Sequence, residues 1–325
     1  MIVLGIETSC DDTGIAVVKD GSLICEVRST QEEVHKKFGG VVPEVASREH
    51  FKTLLPLYNM IKERFSEHID AVAVTVGPGL PGSLSLGLCF AKTIALCERV
   101  KIVGVNHLEA HLLACLLEYR YPKFPALGVI VSGGHTEMVL WSGWGVYKRI
   151  GWTVDDAIGE VIDKIGREMG ISYPAGSEME RLSRSTTYEI KIPKLKMEGY
   201  MMSFSGIKTA ALREFRKITL KEDYPAFALG LQNSLFSSLS SKIERVVQDY
   251  KIKEIVLGGG VAANKILRDK VGEVCSKHNL GFIVPSPKFC ADNAAMVAIC
   301  GYDMILRGIS DDLSLDYRSD WKIKA

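Results

Sequence analysis

The feature that most constrains this chain is an internal repeat of strand and turn signals. Residues 2–18 (IVLGIETSCDDTGIAVV) read as an apolar strand, a small polar turn and a second apolar strand, and residues 126–141 (ALGVIVSGGHTEMVLW) repeat that order. Residues 71–84 (AVAVTVGPGLPGSL) read as a buried strand running through a glycine turn into a helix, and residues 254–267 (EIVLGGGVAANKIL) repeat that order too. Between the members of the first copy lie a third strand at 23–28 and a helical stretch over about 44–66, and after them come a second helical stretch over 84–98 and a strand at 101–105. Another helix begins near His107. The same sequence of signals in both halves predicts a duplicated ββ(β)αβα unit, and therefore an α/β chain of two lobes facing across a cleft. The expected lobes are residues 1–120 and 121–325, divided within EYRYPKFP. A mostly helical insertion is expected over about 152–250, and the pattern leaves open whether the C-terminal helix returns to the first lobe.

Composition narrows the function classes. The 325 residues hold 40 Lys and Arg against 39 Asp and Glu, so the net charge is +1 and no basic excess marks a protein that grips nucleic acid by bulk charge. Hydrophobic residues make up 47%, which excludes a disordered chain. No apolar run reaches the ~18 residues of a membrane-spanning helix. The start, MIVLGIETSC, reads as a strand and not as a signal peptide, because it lacks a basic region and Glu7 interrupts the apolar stretch. The eight cysteines form no CxxC pair and read as reduced core thiols of a cytosolic protein. Cys10, in a polar turn, has no His within a few residues of it in sequence to activate it as a nucleophile.

Three turns stand at equivalent places of the repeat: TSCDDT (8–13), SGGHT (132–136) and GGGVAAN (258–264). Glycine turns from strand to helix expose backbone N–H groups, and the following helix N-terminus favours an anion. One such turn is ordinary, since tight turns need glycine anyway; three at equivalent positions point to phosphate or nucleotide. The fold analogy is the actin, sugar kinase and Hsp70 class, ribonuclease H-like in its repeated unit. His135 in SGGHT is placed either to touch a substrate or to hold the turn, while His35, His50, His68 and His278 lack a partner pattern and read as surface or structural.

NHLEAH (106–111) sets His107 and His111 four apart, on one face of a helix, where both can ligate one metal. Glu109 follows His107 by two residues, about 200° around the helix, so it does not sit beside that metal as the base of a zinc protease does. Asn106 is suited to cap this helix. In ADNAAM (291–296), Asp292 is the one acid of an apolar run. It reads either as a helix cap or as a third, carboxylate ligand. A His2Asp set leaves coordination positions open and suits Fe2+ or Zn2+ without choosing between them.

Taken together, the segments GIETSCDDT, FGGVVPEVASREH, GPGLPGSL, NHLEAH, VSGGHTE, DDAIGEVIDK, SFSGIKT, GGGVAAN and DNAAM run in one order over nearly the whole chain. In that order they resemble the tRNA N6-adenosine threonylcarbamoyltransferases, the TsaD type, formerly described as O-sialoglycoprotein endopeptidases. GGVVPEVASREH is similar to the bacterial and organellar branch. The resemblance implies an actin-like two-lobed fold and transfer of threonylcarbamoyl from threonylcarbamoyl-AMP to N6 of adenosine 37 in tRNAs reading codons that begin with A. It implies a metal, usually Fe2+, on His107, His111 and Asp292. It also implies an adenylate (ATP or AMP) on Ile130, Val131, Ser132, Gly133, Gly134, Asp163, Gly176 and Asn264, with Glu180 at the ribose. Asp11 and Asp12 form the acidic pair of the first turn and are the expected proton acceptors. Three departures stand out. Ala175 replaces a glycine and Val161 and Ile162 replace Ala and Phe, while Asp12 replaces Glu. The implied partners are tRNA, a paralogous subunit (TsaB type) and an ATPase subunit (TsaE type), in a cytoplasmic setting. Rival readings are an ATP-dependent kinase or ATPase of the same fold class, a metalloprotease, and a non-catalytic scaffold of a tRNA-modifying complex.

Overall fold

The computed structural model describes residues 1–194 and 197–323. The remaining four residues, which fall within the expected insertion and the end of the expected second lobe, lie outside the described residues. The chain divides into two compact units: Met1–Tyr121 joined by Lys288–Ile323, and Pro122–Pro287.

The first unit opens with a hairpin and a third strand: β1 (Ile2–Glu7), β2 (Asp12–Lys19) and β3 (Ser22–Thr30). The one-turn helix α1 (Glu32–His35) and the long helix α2 (Pro43–Arg64) follow. Pro43 sits at the start of α2, where its missing N–H removes no helical bond. Then come β4 (Ala71–Gly77), α3 (Pro81–Glu98), β5 (Lys101–Asn106) and α4 (His107–Leu113).

The second unit repeats this plan with β6 (Ala126–Val131), β7 (Thr136–Gly143) and β8 (Val146–Trp152). Four helices are then inserted: α5 (Ile158–Glu168), α6 (Gly176–Ser183), α7 (Ser205–Phe215) and α8 (Tyr224–Asp249). The unit ends with β9 (Glu254–Gly258), α9 (Lys265–Lys277) and β10 (Gly281–Ile283). The last helix, α10 (Ala294–Leu306), belongs to the first unit.

Among the described residues the two sheets have the same topology. The first runs β3-β2-β1-β4-β5 and the second, read from its other edge, β8-β7-β6-β9-β10. In each, the hairpin strands pair antiparallel and the later strands parallel. The central strands β1 and β4 are buried along their whole length, which is why their sequences are continuously apolar rather than alternating. One face of the first sheet packs Leu4, Ile6, Val72 and Val74 against Leu54, Leu57 and Ile61 of α2 and Leu88 and Ile94 of α3. The other face presents Ala16 and Val18 to Ala294, Ala298 and Ile299 of α10.

That second contact is unusually close. A Cβ on Gly5 would lie 2.5 Å from the Ala294 carbonyl oxygen and the Ala298 nitrogen, and one on Gly301 would lie 2.3 Å from Ala73 Cβ. Beyond α10 the chain crosses the first sheet's rim: Arg318 N–H donates to the Val76 carbonyl and Asn106 Nδ2 to the Trp321 carbonyl. No described helix is long and apolar enough to cross a membrane.

The cysteines are only partly core thiols. Cys115, Cys275, Cys290 and Cys300 are buried, but Cys89 and Cys97 are exposed on α3. The sequence misleads there because α3 is apolar all round.

Candidate functional site

The metal-like constellation lies within the first unit. Asn106 ends β5 and caps α4, its Oδ1 accepting from Leu108 N–H (2.9 Å) and Glu109 N–H (3.1 Å). That cap starts the helix at His107 and brings His107 and His111 onto one buried face, with ring centroids 4.6 Å apart. Glu109 points elsewhere, toward Arg307 at the end of α10, at 3.6 Å.

Asp292 is not the cap of its helix. Asn293 is, its Oδ1 accepting from Met296 N–H, while Glu26 of β3 accepts from the Ala294 and Ala295 N–H groups and Arg28 donates to the Asp292 carbonyl. With the helix end satisfied by others, the Asp292 carboxylate is released to face the histidines. Its Oδ1 is 3.2 Å from His111 Nε2 and 3.5 Å from His107 Nε2. The three ligand atoms all lie within 4.8 Å of one another. Ligands about 2.0–2.2 Å from a single ion are separated by up to about 4 Å, so small adjustments suffice to enclose one.

The donor set fits a divalent cation on two grounds. His111 Nδ1 is buried without a hydrogen-bond partner and its Nε2 faces the Asp292 carboxylate, a nitrogen and an oxygen lone pair that one cation between them would use together. The charges around these ligand atoms also favour a cation. Burial opposes protonation of His107, yet the Asp292 and Glu7 carboxylates raise it to about 10. His111 is lowered by burial and by His107. Burial resists ionisation of Asp292, but the two histidines hold it well below the usual carboxylate range. The buried Glu7 and the partly exposed Asp292 carboxylates both flank His107, and a cation between the histidines and Asp292 would balance this negative charge.

The first turn stands in the same unit. Burial raises Asp11. Burial, helped by Asp292 and Asp11 and opposed by Arg28, pushes Asp12 up to about 7, and Asp12 Oδ1 has no hydrogen-bond partner. Cys10 is pushed well up by burial and by Asp11, which keeps its thiol protonated. His50 is fully buried and clamps the turn from α2: its Nε2 lies 2.9 Å from the Cys10 carbonyl and its Nδ1 2.7 Å from Thr13 Oγ1. His35 is also buried, against Gln31 Oε1 at 3.0 Å. Of the surface-or-structural pair of readings, these two histidines take the structural one.

The adenylate candidates lie in the second unit. Ile130 and Val131 are buried in β6, and the turn after them closes through Ser132 N–H to the His135 carbonyl and His135 N–H to Ser132 Oγ. His135 therefore holds the turn with its backbone. A Cβ at Gly133 or Gly134 would meet nothing within 4 Å, so packing does not demand glycine there. On the inner side, Gly259 (φ +93) would place a Cβ 2.4 Å from the Val131 carbonyl, which fixes glycine where the GGG turn meets β6.

Asp163 accepts from Ala175 N–H at 2.8 Å, and Gly176 begins α6. Ala175 has φ −83, so the alanine is unstrained and the loop needs no left-handed residue. Glu180 accepts from Lys265 N–H at the start of α9. Asn264 caps the same helix and donates to Gln232 Oε1 at 2.6 Å. The fully buried Gln232 was not foreseen, and neither was Glu7. Glu7 did leave a trace in the sequence, as the acid that ends an apolar strand.

The model of the TsaD family, tRNA N6-adenosine threonylcarbamoyltransferase, matches residues 22–299. The chain belongs to this threonylcarbamoyltransferase family. Relatives of that name include one from Carboxydothermus hydrogenoformans, 42% identical over 319 residues and covering 97% of this chain and 96% of the relative. Another, from Dehalococcoides mccartyi, is 43% identical over 326 residues and covers 97% of each chain. Among solved structures, full-length HypF in its phosphate- and nucleotide-bound form superposes with a TM-score of 0.63 at 14% identity. That likeness covers 94% of this chain but only 47% of HypF, and it shows the fold alone: the duplicated α/β fold of the actin-like class.

Proposed function

We propose that this threonylcarbamoyltransferase transfers the threonylcarbamoyl group from threonylcarbamoyl-AMP to N6 of adenosine 37 in tRNAs reading codons that begin with A. AMP is released. The observation that carries the reading is the convergence of His107, His111 and Asp292 ligand atoms within 4.8 Å of one another, in a chain of this family. A divalent cation held there, Fe2+ before Zn2+, supplies orientation and polarisation of a substrate oxygen.

The chain's own residues do the rest. The open side of the Gly133–Gly134 turn receives the adenylate phosphate, backed by Ile130, Val131 and Ser132. Asp163 and Gly176 shape the neighbouring loop, and the second carboxylate oxygen of Glu180 is directed to a ribose hydroxyl. Asn264 acts through the α9 N-terminus that it caps.

The substrate is a mixed carbamic–phosphoric anhydride and is already activated, so no covalent enzyme intermediate is needed. The N6 lone pair forms the new C–N bond at the carbamoyl carbon. The bond from that carbon to the phosphate oxygen breaks, and AMP leaves with its electron pair. The N6 proton passes to Asp11 or Asp12. Asp12, poised near 7, is the better matched acceptor at neutral pH. Adenosine 37 lies in a loop and is presented without opening a duplex.

The nearly balanced charge supports a division of labour, with a TsaB-type paralogue and a TsaE-type ATPase contributing to assembly and to tRNA phosphate contacts in the cytoplasm. The test is nucleoside mass analysis of tRNA incubated with the chain, its partners and threonylcarbamoyl-AMP. The wild type forms threonylcarbamoyladenosine and His111→Ala loses most or all of it. Full activity of that variant with no bound metal refutes the metal assignment.

A further inference from the structure

We propose that Glu7 is a positioning residue for the metal centre: its carboxylate fixes the His107 ring with the proton on Nδ1, so that Nε2 presents its lone pair to the metal. The inference rests on the metal reading above and adds a residue to it.

Glu7 ends β1 and is completely buried, as is Thr75 on the neighbouring β4. Donors converge on its two oxygens. Ser9 N–H reaches Oε1 at 2.5 Å, Thr75 Oγ1 reaches Oε2 at 2.7 Å, and His107 Nδ1 lies 3.3 Å from the same Oε2. Ser9 Oγ stands 3.2 Å from His107 Nδ1 as well. An unprotonated Nδ1 would turn its lone pair on the buried Glu7 carboxylate at close range. A protonated Nδ1 donates to Glu7 Oε2, with Ser9 Oγ as a second acceptor in reach, and no lone pair is then turned on the carboxylate. The opposite nitrogen, Nε2, is the one that faces Asp292.

The position demands a carboxylate and not just a polar side chain. An amide has one acceptor and one donor end. In Glu7→Gln the NH2 group must face either Ser9 N–H or the edge shared by Thr75 and His107. The first choice sets donor against donor. The second reverses the His107 tautomer and puts a proton on Nε2, the atom needed for coordination. Carboxylate–histidine–metal relays of this kind change metal affinity by about 10–100-fold when the carboxylate is lost.

The experiment uses the full chain and Zn2+ as a diamagnetic probe. Zn2+ affinity is measured by chelator competition, and the His107 tautomer by long-range 1H–15N correlation. Wild type is expected to show Nδ1 protonated and Nε2 coordinated. Glu7→Gln is expected to bind Zn2+ about 10–100-fold more weakly, and Glu7→Asp to recover part of the loss. Melting of each metal-free variant separates misfolding from mispositioning. If Glu7→Gln does not fold, the wild-type tautomer alone decides: coordination through Nδ1 overturns the inference. So does Glu7→Gln binding within twofold of wild type. If wild type binds no stoichiometric Zn2+, or His111→Ala binds it equally well, the metal reading fails instead. If those two behave as read while Glu7→Gln is neutral, only the role of Glu7 fails.

Discussion

Replacing Gly5 by alanine drives a methyl group into the backbone of α10. The new Cβ would lie 2.5 Å from the Ala294 oxygen and the Ala298 nitrogen and 2.7 Å from Ala298 Cβ. Carbon contacts are comfortable only from about 3.5 Å, so roughly 1 Å must be found. Backbone atoms cannot rotate aside as a side chain can. β1 is pinned between β2 and β4, so the first turn of α10 has to yield. Asp292 lies two residues before that turn, and metal sites tolerate ligand displacements of only about 0.2 Å. A 1 Å shift therefore removes Asp292 from the constellation while leaving both histidines in place. The expected result is Zn2+ binding at least about tenfold weaker, beyond the lower bound for loss of an outer-shell partner. Overpacking adds a loss of about 1–3 kcal/mol in stability. Chelator competition and thermal melting read the two effects separately. Gly143→Ala is the control, because its Cβ would meet nothing within 4 Å. Gly5→Ala with wild-type Zn2+ affinity would refute the idea that α10 packing sets the position of Asp292.

The Asp12 carboxyl is raised to about 7 by burial first and by Asp292 and Asp11 after it, above its unfolded value of about 3.9. Its contribution to stability is thus full below about pH 4 and is lost as pH rises through about 7. Metal-free wild type should lose stability relative to Asp12→Asn across that window, by at most about 4 kcal/mol; parallel melting curves from pH 4 to 8 contradict this. Gly133→Ala should leave stability unchanged within about 0.5 kcal/mol, since no atom opposes the methyl group, yet weaken AMP binding measured by calorimetry. Unchanged AMP affinity would remove Gly133 from the phosphate cradle. With a net charge of +1, the isolated chain should bind tRNA weakly and lose that binding readily between 50 and about 200 mM salt; tight, salt-resistant binding by the chain alone contradicts it.

How much of this was legible beforehand depended on whether a residue's partner is local. The duplication could be read because each hairpin and glycine turn is a short-range signal, and the two sheets do repeat one topology. His107 and His111 announced themselves by helical spacing. Asp292 had two readings, and what separates them is long-range: Asn293, Glu26 and Arg28 satisfy the helix end and its carbonyl, so the carboxylate is not needed as a cap. Glu7 and Gln232 were missed for the same reason, since every partner that gives them meaning, apart from Ser9, is remote in sequence. Ala175 departs from the glycine of relatives, yet at φ −83 it needs no left-handed backbone, a fact set by the folded loop and not by the residue pattern.

The first unit is completed only by the last segment of the chain, which gives the metal centre a place in time as well as in space. A nascent chain ending at Pro287 contains every residue of the second unit but leaves the Ala16–Val18 face of the first sheet bare. It carries His107 and His111 without Asp292, which follows His111 by 181 residues. Joining points so far apart costs about 4–5 kcal/mol of chain entropy, and folding of the intervening unit reduces it. The cation site is therefore among the last features to form. A product truncated before α10 presents two histidines and no carboxylate, a weak site. On the proposed metal reading, metal retention would distinguish finished molecules from incomplete ones.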